Sequence, residues 1–122
     1  MNQKKRWVLL KHVNSPDDIN CIHFDLLLED AEGCRTWRLN KIPDIDGSYV
    51  KAIRAPIHKL AWLQKTESAV SGGRGWASRV EGGIFTGNLP ISLDGTVQVM
   101  IFSHALSGRL EIKDGLCRIS SQ

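Results

Sequence analysis

Cysteine is scarce and follows no pairing pattern. Cys21, Cys34 and Cys117 are odd in number, widely spaced and without a CxxC pair. A disulfide framework or a structural zinc knuckle is therefore not expected, and a reducing, cytoplasmic setting is. Long apolar runs are missing as well. Trp7-Val8-Leu9-Leu10 follows the basic Lys4-Lys5-Arg6, but Lys11 and His12 end the run well short of a signal peptide or a membrane span, so no membrane partner is expected. Neither sign of charge dominates. The net charge of +3 and pI near 8.9 are compatible with a polyanionic partner and do not require one. Internal repeats, low-complexity tracts and linkers are absent too. What is there is an ordinary globular composition, 42% hydrophobic and 24% charged over 122 residues, enough for one domain over 1–122 with a real core.

The pattern of turns and apolar alternation is that of a β-rich chain. Strands are expected over about 6–12, 21–29 and 34–41, the last two joined as a hairpin through Asp30-Ala31-Glu32-Gly33. After a loop bracketed by Pro43 and Gly47, Ser48 to Arg54 reads as a strand. Pro56 to Gln64 reads as the one short helix, with Leu60 and Leu63 on one side. Trp76–Val80 and Gly83–Thr86 read as two short strands. Thr96–Phe102 is strongly apolar, and Arg109–Lys113 alternates before the Asp114-Gly115 turn and a return over Leu116–Ile119. About seven or eight short strands with one short helix predict a mostly β protein, a single β-barrel or closed sandwich.

The stretch His23-Phe24-Asp25-Leu26-Leu27-Leu28-Glu29 carries the chemistry. Alternation on a strand points His23, Asp25 and Glu29 one way while Phe24, Leu26 and Leu28 pack the other. A histidine and a carboxylate two apart on one strand face form a pre-aimed pair of metal ligands, and buried charge must be paired or coordinated. His12 ends the neighbouring strand. The hairpin places Asp25 opposite Arg38 and Leu27 opposite Thr36, so Arg38 and Asn40 share the face of His23 and Asp25. Taken singly, Lys41, Arg38 and Arg54 read as solvated charges, and Glu29 as the partner of a nearby cation. His104 reads as a turn residue, and Gly72-Gly73-Arg74-Gly75 as a flexible turn that lacks the context of a P-loop.

These residues resemble the 3′-phosphoesterase module found at the N-terminus of the bacterial end-joining DNA ligase D and as a free-standing protein. That family carries a strand reading His-Tyr/Phe-Asp-x-Arg-x-Glu, an upstream His, a following Trp strand leading to a Lys, and a later His. Here they correspond to His23 through Glu29, His12, Trp37 leading to Lys41, and His58, over roughly Arg6 to Ile119. The resemblance implies a compact β-barrel with an active-site crescent on one side. It also implies metal-dependent removal of a 3′-phosphate or 3′-ribonucleotide from DNA ends, in DNA end repair by non-homologous end joining.

By the same resemblance His12, His23 and Asp25 ligate a divalent metal, Mn²⁺ first, with Zn²⁺ or Co²⁺ as alternatives. His58 contacts the scissile phosphate, and His23 and Asp25 count with it as catalytic. Lys41 is a phosphate contact. The implied partners are DNA 3′ ends and a separate ligase or polymerase. The chain departs from the family at Leu27, where the family has a phosphate-binding Arg; Arg38 or Arg54 is expected to supply that charge. It also departs at Trp62, where the family has Tyr; an indole keeps a stacking surface and loses the hydroxyl. A second reading follows from Leu27: a non-catalytic nucleic-acid or protein binding module with a degenerate site.

Overall fold

The computed structural model describes residues 4–13, 22–70 and 73–121. Among them are nine strands: β1 (Lys5–Val13), β2 (His23–Glu29), β3 (Cys34–Leu39), β4 (Val50–His58), β5 (Glu67–Ala69), β6 (Trp76–Thr86), β7 (Val97–Phe102), β8 (Gly108–Lys113) and β9 (Leu116–Ser120). Their ladders run antiparallel in the order β1-β2-β3-β4-β9-β8-β7-β6-β5. β1 also pairs with β6, so the sheet closes into a ring from which only β5 hangs outside. Closure leaves the ring with few free edges.

Every strand of the ring contributes to one interior core, with Trp7, Leu26, Leu28, Trp37, Phe85 and Leu110 among its members. Trp7 pairs with Gly83 in the β1–β6 ladder, and its indole N–H donates to the Phe102 carbonyl at 3.2 Å. Any side chain at Gly83 would overlap that carbonyl oxygen, which is why this strand position is glycine.

A second, smaller apolar cluster lies on the outer face of β1, β2, β3 and β6. Val8, Leu10, Leu27, Cys34 and Ala77 form it, and Leu63 from the one-turn 3-10 helix Leu60–Leu63 caps it, with Leu60, Trp62 and Val70 packed alongside. The described residues 59–70 and 73–75 thus form a strap across the outside of the ring. The run Leu26-Leu27-Leu28 is apolar throughout because β2 is covered on both faces, by the core within and the strap without.

Several boundaries differ from the sequence expectation. The predicted helix over Pro56–Gln64 is only the 3-10 turn, because β4 continues to His58. Thr36 pairs with Ala55 and Cys34 with His58, so β4 carries one extra residue there, a bulge that accommodates the missing N–H of Pro56. The two strands expected over Trp76–Val80 and Gly83–Thr86 are the single strand β6. Its ladder with β1 jumps from Glu81 to Arg79 between Leu9 and Leu10, so a bulge at Val80 replaces the expected break. β5 was not expected. Cys21, at the predicted start of β2, lies outside the described residues, as do Ser71 and Gly72 of the glycine-rich turn.

Candidate metal centre

Alternation places His12 on the same face of β1 as Val8 and Leu10, and His23 and Asp25 on the same face of β2 as Leu27. His12 pairs directly with His23 across the β1–β2 ladder. The three polar side chains therefore meet at one end of the outer apolar cluster, all buried, with Asp25 only 5% exposed.

His12 Nδ1 and His23 Nε2 are 3.0 Å apart. Asp25 Oδ2 lies 3.6 Å from His12 Nδ1, and Asp25 Oδ1 lies 3.5 Å from His23 Nε2. The last two separations are too long for strong hydrogen bonds. They suit donors that share an ion: with bonds of about 2.0–2.2 Å at roughly 90–109°, neighbouring donors lie about 2.8–3.6 Å apart. His12 Nε2 is occupied elsewhere, 2.6 Å from the carbonyl oxygen of Arg74. That oxygen can only accept, so Nε2 donates to it; in the neutral ring this leaves Nδ1 bare, facing His23 Nε2 and Asp25. Two imidazole nitrogens and a carboxylate fit a divalent ion of the Mn, Co or Zn type, and the group could hold one.

His12 and Asp25 line a cleft of about 650 Å³ between the ring and the strap, with Arg38, His58, Lys59, Trp62, Lys65 and Arg74, while His23 stands behind them. Among the described lining residues Asp25 is the one carboxylate, against four cationic side chains. Arg38 stands directly opposite Asp25 in the β2–β3 ladder, as the hairpin reading expected. Its Nε is shut off from solvent and has no hydrogen-bond partner among the described residues. A buried N–H without an acceptor costs on the order of 1–3 kcal/mol, so an acceptor brought by a ligand is favoured there. Lys65 holds its ammonium 4.4 Å from the centroid of the Trp62 ring, which steadies a charge at the cleft wall.

His58 closes β4 at the rim. Its Nδ1 lies 2.9 Å from the Pro56 carbonyl and 3.1 Å from Thr36 Oγ1, whose own hydroxyl donates to the Cys34 carbonyl at 3.0 Å. Nδ1–H is therefore the donor, and Nε2 is the ring atom left for a substrate.

Two expected phosphate contacts do not join this site. Arg54 pairs with Trp37 in the β3–β4 ladder and so lies on the sheet face opposite the cleft, where it is exposed and its Nε meets Asp94 at 3.3 Å. Lys41 is exposed beyond the end of β3 and does not line the cleft. Asn40 is also outside it, accepting the Lys51 N–H at 3.1 Å. Leu27, where the resembled family carries arginine, is fully buried in the outer cluster. Glu29 pairs with Arg6, whose backbone N–H and guanidinium reach it at 2.7 and 3.2 Å. Burial pushes the Glu29 pKa up, but the Arg6 hydrogen bonds and charge outweigh it and leave it lowered. Burial pushes the Cys34 thiol, beneath the cleft, up to about 11, so it stays protonated.

Sequence reasoning missed Lys59 and Lys65 as members of the site, and the role of the Arg74 carbonyl. Lys65 follows Trp62 by three residues, a spacing that places neighbours on one side of a helical turn. The Arg74 contact has no sequence signal, since any residue carries a carbonyl. No known protein-family model and no curated protein sequence matches this chain.

Proposed function

We propose that this protein is a divalent-metal-dependent phosphoesterase acting on 3′-phosphorylated ends of DNA, within a β-barrel of the kind the sequence resemblance implies. The observation that carries the reading is the convergence of His12, His23 and Asp25 at ligand spacing beside a cleft lined by four cations. Two histidines and a carboxylate also serve oxygen-activating iron in other proteins. Arg38, Lys59, Lys65 and Arg74 are what turn the reading toward a phosphate, because such a wall favours a dianion over a neutral substrate.

His12, His23 and Asp25 would hold the ion, which when bound supplies Lewis-acid stabilisation of phosphoryl charge. Arg38 binds a phosphate oxygen through its buried Nε and takes over the function that Leu27 does not provide. Lys65, braced on Trp62, and Lys59 draw in the polyanionic strand. His58, fixed through Nδ1, presents Nε2 to the departing 3′ oxygen and in its protonated form hands that oxygen a proton as the P–O bond breaks. Water supplies the new phosphate oxygen.

The test is release of inorganic phosphate from a 3′-phosphorylated primer-template with manganese, magnesium, cobalt or zinc, against a chelator control. Turnover that needs the metal and disappears in His23→Ala and Asp25→Ala supports the proposal. Absence of turnover with every metal, together with measurable DNA binding, would place the protein among non-catalytic binding modules.

A further inference from the structure

Residues 73–75 lie in the β5–β6 connection and are pinned to Val70. Val70 N–H donates to the Gly75 carbonyl at 2.8 Å and Arg74 N–H to the Val70 carbonyl at 3.3 Å. Gly73 and Gly75, on either side of Arg74, have φ values of 68° and 95°. Such backbone is disfavoured for residues with a Cβ, by about 1–2 kcal/mol in the left-handed region. The φ of Gly75 helps set the plane of the Arg74 peptide, and hence where its carbonyl points. It points at His12 Nε2, 2.6 Å away.

We propose that the Arg74 main-chain carbonyl, held by Gly73 and Gly75, is a positioning group that locks His12 in the Nε2–H tautomer and aims Nδ1 at His23 and Asp25. Nδ1 is the nearer ring nitrogen to both partners, at 3.0 Å from His23 Nε2 and 3.6 Å from Asp25 Oδ2. A neutral imidazole has one bare nitrogen, and without an acceptor at Nε2 the proton is free to occupy Nδ1, where it would block that donor. The strap that builds the cleft thereby also prepares the triad: if the turn moves, His12 loses its orientation. The consequence for metal affinity rests on the metal-site reading above, whereas the tautomer does not.

Two measurements on the full-length protein separate these parts. The first is the ¹⁵N shifts of the His12 ring in metal-free protein at about pH 8, where an ordinary imidazole is neutral. The second is Co²⁺ affinity by titration calorimetry and visible absorption. Wild type is expected to show a pure Nε2–H pattern. Gly75→Val should mix the tautomers and weaken Co²⁺ binding by about 10- to 100-fold, the usual effect of losing a group that orients a ligand. Gly73→Ala gives a milder version, since a Cβ there meets nothing within 4 Å and acts through φ alone; it serves if Gly75→Val does not fold. Gly115→Val, at a φ of 76° in the β8–β9 turn, strains the backbone away from the site and should change neither reading. The proposal falls if Gly75→Val or Gly73→Ala keeps the wild-type tautomer and affinity, or if Gly115→Val weakens cobalt equally. Tautomer shifts as expected in a protein that binds no cobalt would uphold the positioning role and overturn the metal centre.

Discussion

Asp25 and Arg38 stand directly across the β2–β3 ladder from one another, on the outer face of the ring, yet no ion pair joins them. The carboxylate turns to two imidazoles, while the guanidinium keeps a buried Nε without an acceptor among the described residues. Opposite charges facing across a ladder usually pair, and doing so is worth roughly 0.2–1 kcal/mol. Kept apart, the carboxylate is available to a cation and the guanidinium to an anion, side by side.

A buried Nε without an acceptor among the described residues is a cost to stability at Arg38. Arg38→Met should leave the urea midpoint unchanged or raised, because it removes a buried donor without a partner. The same change should lower kcat/KM on a 3′-phosphorylated end by about 10- to 150-fold, the range for losing a hydrogen bond to a charged group. Arg54→Met, on the opposite face of the sheet, should leave kcat/KM within about twofold. Equal losses in the two variants would mean that bulk charge, not the Arg38 position, holds the phosphate.

Calorimetric titration with Mn²⁺ or Co²⁺ should show one site. His12→Ala, His23→Ala and Asp25→Ala should each weaken it by at least about 100-fold, since each removes one of three protein donors. Saturation at about 100 times Kd should stabilise wild type by about 2.7 kcal/mol and none of the three variants. Binding that persists in all three would place the ion elsewhere.

His58→Ala should reduce turnover by about 10²–10⁴-fold with metal affinity intact, as expected for a proton donor outside the ligand set. Thr36→Val, which removes one partner of His58 Nδ1 and keeps the Pro56 carbonyl, should cost far less. A His58→Ala protein that loses its metal would show that this ring belongs to the ligand set instead.

Leu27→Arg installs the arginine that the resembled family carries and should not bring phosphate binding with it. The side chain is fully buried among Val8, Leu10, Cys34, Leu63 and Ala77, so a guanidinium there should cost about 3 kcal/mol or more. Denaturant unfolding checks this; a stable variant with raised turnover would mean that the strap lifts readily.

Glu29 gives a pH dependence. Its folded pKa lies below the unfolded value because Arg6 favours the charged form over the opposing effect of burial. Its stabilisation is complete above the ordinary glutamate range and drains away as the pH falls through the folded value. Glu29→Gln should therefore lose stability at pH 7, by about 1 kcal/mol or less for this partly exposed pair, and converge on wild type near pH 3. A constant difference across that range would make the loss one of packing.

The sequence by itself determined the content of each strand face and the pairing of neighbours close in the chain. Alternation in His23–Glu29 set His23 and Asp25 on one side, and the turn before Cys34 set the register that brings Asp25 opposite Arg38. Such features depend on a period of two and a short loop, which are local. Only the tertiary structure decided which faces meet. That the triad lies outside the ring, that a strap covers it, and that Arg54 stands exposed on the opposite face of the sheet from Arg38 follow from ring closure, and a bulge in β4 turns His58 onto the cleft face. One extra residue in a strand reverses every side chain beyond it, and nothing in the local pattern marks where that residue will be taken up. The Arg74 carbonyl lies furthest from the reach of sequence, because the group that orients His12 belongs to the backbone and owes its place to the folding of a distant turn.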